Sequence, residues 1–123
     1  MENEWVARVV LFLVMVGSGI LLMWMANAAA SGRLKRNQTA GIRIPSTLAS
    51  DEAWLAAHIR AKRPTLYAGA TSVVSGIFAL LPLSMPIVLI AVLIAAVAIL
   101  VLMFYGAHVG GKAAATILDD QGH

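Results

Sequence analysis

The residues able to do specific chemistry in this chain are gathered between Asn37 and Arg63, where Asn37, Gly41, Arg43, Pro45, Thr47, Leu48, Ser50, Trp54 and His58 stand among small and polar positions. Arg43 is the sharpest of them. A planar guanidinium grips a phosphate or a carboxylate through two parallel hydrogen bonds. Arg43 is therefore a candidate to hold a lipid phosphate, an acidic group on a partner, or Asp51 and Glu52 of its own chain. Gly41 permits a bend just before it and Pro45 bars a helix through Ile44, so a turn within a loop from Ser31 to Ser50 is expected to present Arg43. His58 and His108 carry imidazoles of the kind that ligate zinc or copper. Their only further ligands would be Asp119, Asp120 or His123 on an expected mobile tail, so no metal and no cofactor is assigned. Hydrogen bonding to backbone or water is the expected role of both rings. Cysteine is absent, which removes thiolate nucleophiles, disulfides and Cys-type zinc sites.

The second half of this polar segment reads as a helix. Ser50 is a good N-cap, Asp51 and Glu52 lie where a helix dipole favours anions, and Arg60, Lys62 and Arg63 lie at the opposite end, just before Pro64. A short helix from Asp51 to about Lys62 is predicted. Trp54, Leu55, His58, Ile59 and Lys62 share one face of it, flanked by Ala53, Ala56 and Ala57. That face either lies at the membrane interface with Trp54 at headgroup depth, or packs beneath the ends of the membrane spans.

What must position the segment is a set of apolar spans. Of the 123 residues 60% are hydrophobic and only 12% charged, with a mean hydropathy of +0.85, far from the usual soluble mixture. Hydropathy predicts an all-α membrane protein of one domain, 1–123, with spans at about 6–30, 65–83 and 86–106 and the polar segment 31–64 between the first two. The middle span is diluted by Gly69, Thr71, Ser72, Ser75 and Gly76. Ala26-Asn27-Ala28 fits a small-x-small cleavage pattern, but the acidic start and the long apolar run argue for an uncleaved helix. Most Lys and Arg residues lie between the first two spans, which predicts a cytoplasmic polar segment, an N-terminus outside and a C-terminus inside. The pI near 9.8 follows from this topology and from anionic lipid, and no basic soluble domain exists to bind nucleic acid.

No acidic residue lies within a span, so a proton relay is not expected, and neither is catalysis. Arg8 is expected to snorkel outward and pair with Glu2 or Glu4. Ala68, Ser72 and Gly76 recur at every fourth position, and Gly106 with Gly110 forms a second small stripe. Each permits close approach of a helix, with packing inside the chain favoured over a second copy or a larger complex.

The pattern N-x-x-x-G-x-R-x-P-x-T-L-x-S-x-x-x-W-x-x-x-H, followed by a small-residue-rich span, resembles the SdpI family of small bacterial integral membrane proteins. The resemblance implies a three-span unit in the bacterial inner membrane with this stretch as its signature. It further implies immunity to a secreted, membrane-active peptide toxin, coupled in one member to sequestration of a transcriptional repressor. Two other classes stay open: an accessory subunit that stabilises a larger membrane complex, and a small oligomeric transporter or channel. Expected partners are membrane lipids with anionic headgroups, another membrane protein or a second copy, and a peptide toxin. If Arg43 is a recognition group, Arg43→Lys impairs activity or partner binding while membrane insertion stays intact, and unchanged activity in Arg43→Ala rules the role out.

Overall fold

The computed structural model describes residues 2–121, with side-chain packing from Glu4 onward. Four helices follow one another: α1 (Glu2–Ala30), the single turn α2 (Pro45–Leu48), α3 (Asp51–Ala79) and α4 (Met85–Gln121). No strand occurs among the described residues. α3 is the central element. It packs against α1 along one side and α4 along another, whereas α1 and α4 scarcely meet.

α1 and α4 are each long and apolar enough to cross a membrane. α3 is as long as α1 but falls short of both in apolarity, and the reason lies in its packing. Gly69, Ser72 and Gly76 are spent on the seam with α1. A Cβ on Gly69 would meet Met23 Cγ at 2.5 Å and the Gly19 carbonyl at 2.8 Å, and one on Gly76 would meet Val16 at 2.8 Å and the Phe12 carbonyl at 3.1 Å. Ser72, buried, donates to the Met15 carbonyl at 2.6 Å. Ala68, on the same side of α3, is fully buried. Where lipid surrounds the helices no hydrophobic force drives them together, and such close contact with an interhelical hydrogen bond supplies the attraction.

Two features depart from the expectations. The helix beginning at Asp51 does not stop before Pro64 but runs on through it to Ala79, making one helix of 29 residues where a short interfacial helix and a separate span were expected. A proline inside a helix costs about 3 kcal/mol through its missing N–H and its clash one turn back. Here packing outweighs that cost, because the unbroken helix keeps Ala53, Ala57, Ala61, Pro64 and Ala68 buried along its length. The Thr65 hydroxyl donates to the Ala61 carbonyl at 2.9 Å beside the proline. The expected tail is also helix: α4 runs 37 residues to Gln121, and Ala114 packs with Ala53 and Ala57 in a fully buried cluster edged by Ile117 and Leu118.

Arg8 departs from its expectation as well. Its guanidinium does not pair with Glu4; it is 8% exposed and donates to the carbonyls of Ala79, Leu81 and Leu83, at 3.2 Å and 3.0 Å for the first two. The Glu2 side chain lies outside the described residues. The last carbonyls of a helix lack partners and carry its negative dipole end, so a cation from α1 is well matched to the end of α3 and the turn that follows. Arg8→Leu is expected to lower stability in detergent by about 2–3 kcal/mol, the worth of hydrogen bonds to a charged group, read as a fall in unfolding temperature. Arg8→Lys, without the planar fork, recovers only part of it.

Candidate functional site

The polar segment folds onto the basic end of the bundle, and nearly every one of its distinctive residues is used to hold it there. α1 ends in a turn at Gly32, whose φ of 84° is the left-handed conformation that glycine accepts, with Leu34 N–H donating to the Ala28 carbonyl at 2.9 Å. Asn37 then organises the next turn. Its Oδ1 accepts from the backbone N–H of Thr39 at 2.8 Å and Ala40 at 2.7 Å, while its amide donates to the Lys35 carbonyl at 2.6 Å.

Gly41 is where the loop touches α3. Its φ is 101°, and a Cβ there would meet Trp54 Cη2 at 2.7 Å and His58 Nε2 at 2.8 Å. The loop backbone thus lies directly over the two rings, which sit 4.3 Å apart and are buried at 2% and 6% exposure. Trp54 does not lie on a free face of α3: the loop covers it and its indole N–H donates to the Leu34 carbonyl at 3.0 Å. Leu55 and Ile59, expected on the same face, are exposed.

His58 is held at both nitrogens. The Ile42 N–H donates to Nε2 at 2.9 Å, so Nε2 is bare and the ring proton sits on Nδ1, which donates to the Trp54 carbonyl at 2.7 Å. Burial lowers the pKa of the ring below its ordinary 6.5, the carbonyl at Nδ1 opposing this in part. A small cavity of about 60 Å³ lies beside it, between Met25, Ala26, Gly41, Ala61 and Met103.

Thr47 is fully buried and plays the matching role for α2. Its hydroxyl donates to the Ile42 carbonyl at 2.7 Å and accepts from the Ile44 N–H at 3.1 Å. Pro45 opens α2 at its first position, where a missing N–H costs nothing. Ser50 caps α3, accepting from the Ala53 N–H at 3.1 Å. The Leu48 carbonyl accepts from Arg36 at 3.0 Å, and it is Arg36, not Arg43, that pairs with Asp51, at 3.3 Å.

Arg43 is exposed and makes one hydrogen bond, from Nη1 to the Gln38 carbonyl at 2.7 Å. It makes no ion pair with Asp51 or Glu52. Gly106 and Gly110 lie on α4 opposite the loop and the start of α3: a Cβ on Gly110 would meet the Ala57 carbonyl at 2.9 Å and Ile42 Cδ1 at 3.3 Å, and one on Gly106 would sit 3.5 Å from Pro64. Gly111, not singled out from the sequence, would meet Ile44 at 2.9 Å. Gly19, Arg36 and Ala61 were missed in the same way, while Gly69 was read only as diluting the middle span and Ala53 and Ala57 only as flanking a helix face. For the alanines the signal existed, a four-residue recurrence over positions 53, 57 and 61.

His108 does not join His58, whose nitrogens are both occupied, and lies instead in an exposed depression with Arg60 and Lys112. No group of three metal-ligating residues occurs among the described residues, and His123 lies outside them.

This buried glycine, tryptophan, threonine and histidine core lies within residues 33–106, the stretch matched by the model of the SdpI/YfhL protein family. The chain belongs to the SdpI/YfhL family. The matched stretch begins just after Gly32 and takes in the loop, α2, α3 and most of α4. No curated protein and no solved structure matches the chain.

The bonding of His58 carries a pH dependence with a defined sign. Protonation places a hydrogen on Nε2, which then opposes the Ile42 N–H. A folded pKa below the unfolded 6.5 means that this stabilisation is complete above pH 6.5 and is lost as pH falls through 6.5 toward the lower, folded value. The unfolding temperature in detergent is therefore expected to drop between pH 7.5 and about 5 in the parent and in His108→Ala, with a smaller drop in His58→Gln.

Proposed function

We propose that this protein is an immunity protein of the SdpI type, a three-span bacterial inner-membrane protein that protects the cell from a membrane-active peptide toxin by binding and not by catalysis. The observation that carries the reading is membership of the SdpI/YfhL family across the whole polar segment. Three crossings are supported by the seam with α1: residues 69–76 of α3 lie against the apolar middle of α1, so where α1 crosses, α3 crosses beside it. The excess of Lys and Arg at the loop end supports a cytoplasmic loop with the N-terminus outside.

Within the segment, most distinctive residues have structural employment. Arg43 has two of its three guanidinium nitrogens without a partner among the described residues, and is the side chain best placed to meet an acidic group on a toxin or on a protein partner.

The test is protection. Expression of the chain in a bacterium killed by an Sdp-type peptide toxin is expected to restore growth. Arg43→Ala is expected to reduce that protection about tenfold in toxin concentration, as loss of one charge-assisted contact predicts, at unchanged membrane abundance. No protection by the parent chain, together with accumulation only alongside a stoichiometric membrane partner, would replace this reading with that of an accessory subunit.

A further inference from the structure

The face of α3 turned away from α1 forms, with α4, a long groove whose two ends differ in chemistry. At the basic end a depression of about 620 Å³ is lined by Arg60, Lys62, Arg63, Tyr67 and Tyr105. It meets a second, of about 370 Å³, that shares Arg60 and Val109 and adds His108 and Lys112. In the other direction Tyr67 passes it into an apolar furrow of about 500 Å³, lined by Ala70, Val74, Phe78, Ile94 and Ala98 among others.

No acidic residue lines any of the three depressions. Arg60, Lys62, Arg63 and Lys112 are exposed, and none has a side-chain hydrogen bond or ion pair among the described residues. The one ion pair there, Arg36 with Asp51, is made elsewhere. Four cations gathered without a counter-charge await an anion from outside the chain.

The length of the furrow says what kind of anion. From Tyr67 to Phe78, α3 rises about 16 Å, close to half of the roughly 30 Å hydrocarbon core, which is the depth of one leaflet. Tyr67 and Tyr105 are 60% and 55% exposed at the junction of the basic and apolar parts, where amphipathic rings mark the headgroup level. The alanines of the furrow leave a smooth trough of the kind an acyl chain fills.

We propose that this groove is a binding site for one anionic phospholipid, its phosphate held by Arg60 and Arg63, one turn apart on α3, and one acyl chain laid along the furrow from Tyr67 to Phe78. The second depression, with Lys112, accommodates the rest of an anionic headgroup and disfavours a zwitterionic one, whose cation would meet the lysine. The inference does not rest on the immunity reading, because Arg43 does not line the groove and its test uses no toxin.

The experiment is native mass spectrometry of the full chain released from micelles containing equal phosphatidylglycerol and phosphatidylcholine with the same acyl chains. One phosphatidylglycerol per chain is expected to be retained in about tenfold preference, in keeping with the attraction of a few basic residues for anionic lipid. Arg60→Gln with Arg63→Gln is expected to abolish the preference. Arg33→Gln with Lys35→Gln, an equal loss of charge on the loop, is expected to leave it unchanged. Ala98→Phe, which fills the furrow, is expected to reduce retention of both lipids, with circular dichroism confirming that each variant keeps its helices. Equal retention of the two lipids by the parent, or a preference that survives Arg60→Gln with Arg63→Gln, overturns the proposal. So does displacement of the lipid by millimolar inorganic phosphate, or retention unaffected by Ala98→Phe, since either describes a site for a free anion. Displacement by an acidic peptide with no competition from added phosphatidylglycerol overturns it in favour of a peptide groove.

Discussion

The structure depends on how closely other backbones can approach α3. Along one side Gly69, Ser72 and Gly76 bring it against Gly19, Met15 and Phe12 of α1, and along another Ala57, Ala61 and Pro64 meet Gly110 and Gly106 of α4. Because α1 and α4 scarcely touch, removing α3 would leave no bundle. In lipid the alternative to these contacts is contact with acyl chains as apolar as any leucine, so only a better fit and an interhelical hydrogen bond favour assembly. The same economy explains the continuity of α3 through Pro64. A break there would misalign the alanines below it from the glycines of α4, and the loop would lose its floor.

That floor gives the polar segment its shape. A loop rich in backbone N–H and C=O groups at the end of an apolar bundle needs partners for those it takes from water, and a few side chains supply several: Asn37 for the turn, His58 for Ile42, Thr47 for Ile42 and Ile44, Trp54 for Leu34. Gly41 is required because the chain crosses the Trp54 and His58 rings with no room for a side chain. The distinctive residues of the polar segment are thus largely a description of one folded loop. What the loop leaves exposed is chiefly Arg43, and α3 and α4 leave Arg60, Lys62, Arg63 and Lys112 exposed as well.

The helical nature of the chain and its two strongly apolar helices were legible because both arise from local physics, a continuous run of apolar residues long enough to span. The cap at Ser50 and the bend at Gly41 were legible for the same reason, since each is decided within a few residues. Arg8 was misread because its partners are carbonyls more than seventy positions away, and a sequence displays acidic side chains but not unsatisfied backbone. The pairing of Asp51 with Arg36 in place of Arg43 follows from the path of the loop, which no spacing rule specifies. Pro64 was read as a stop because its local cost is real, and the compensating contacts come from α4.

The sequence by itself determined that the protein is built of apolar helices around one polar, basic segment, and which family it belongs to, because hydropathy, turn chemistry and a spaced motif are written along the chain. Only the tertiary structure decided that the segment is roofed onto Trp54 and His58, that α3 is one helix flanked on two sides, and that four cations share a groove with an apolar trough. Those outcomes depend on surfaces from residues far apart in the chain meeting at van der Waals distance, and their fit is set by shape, which order along the chain does not record.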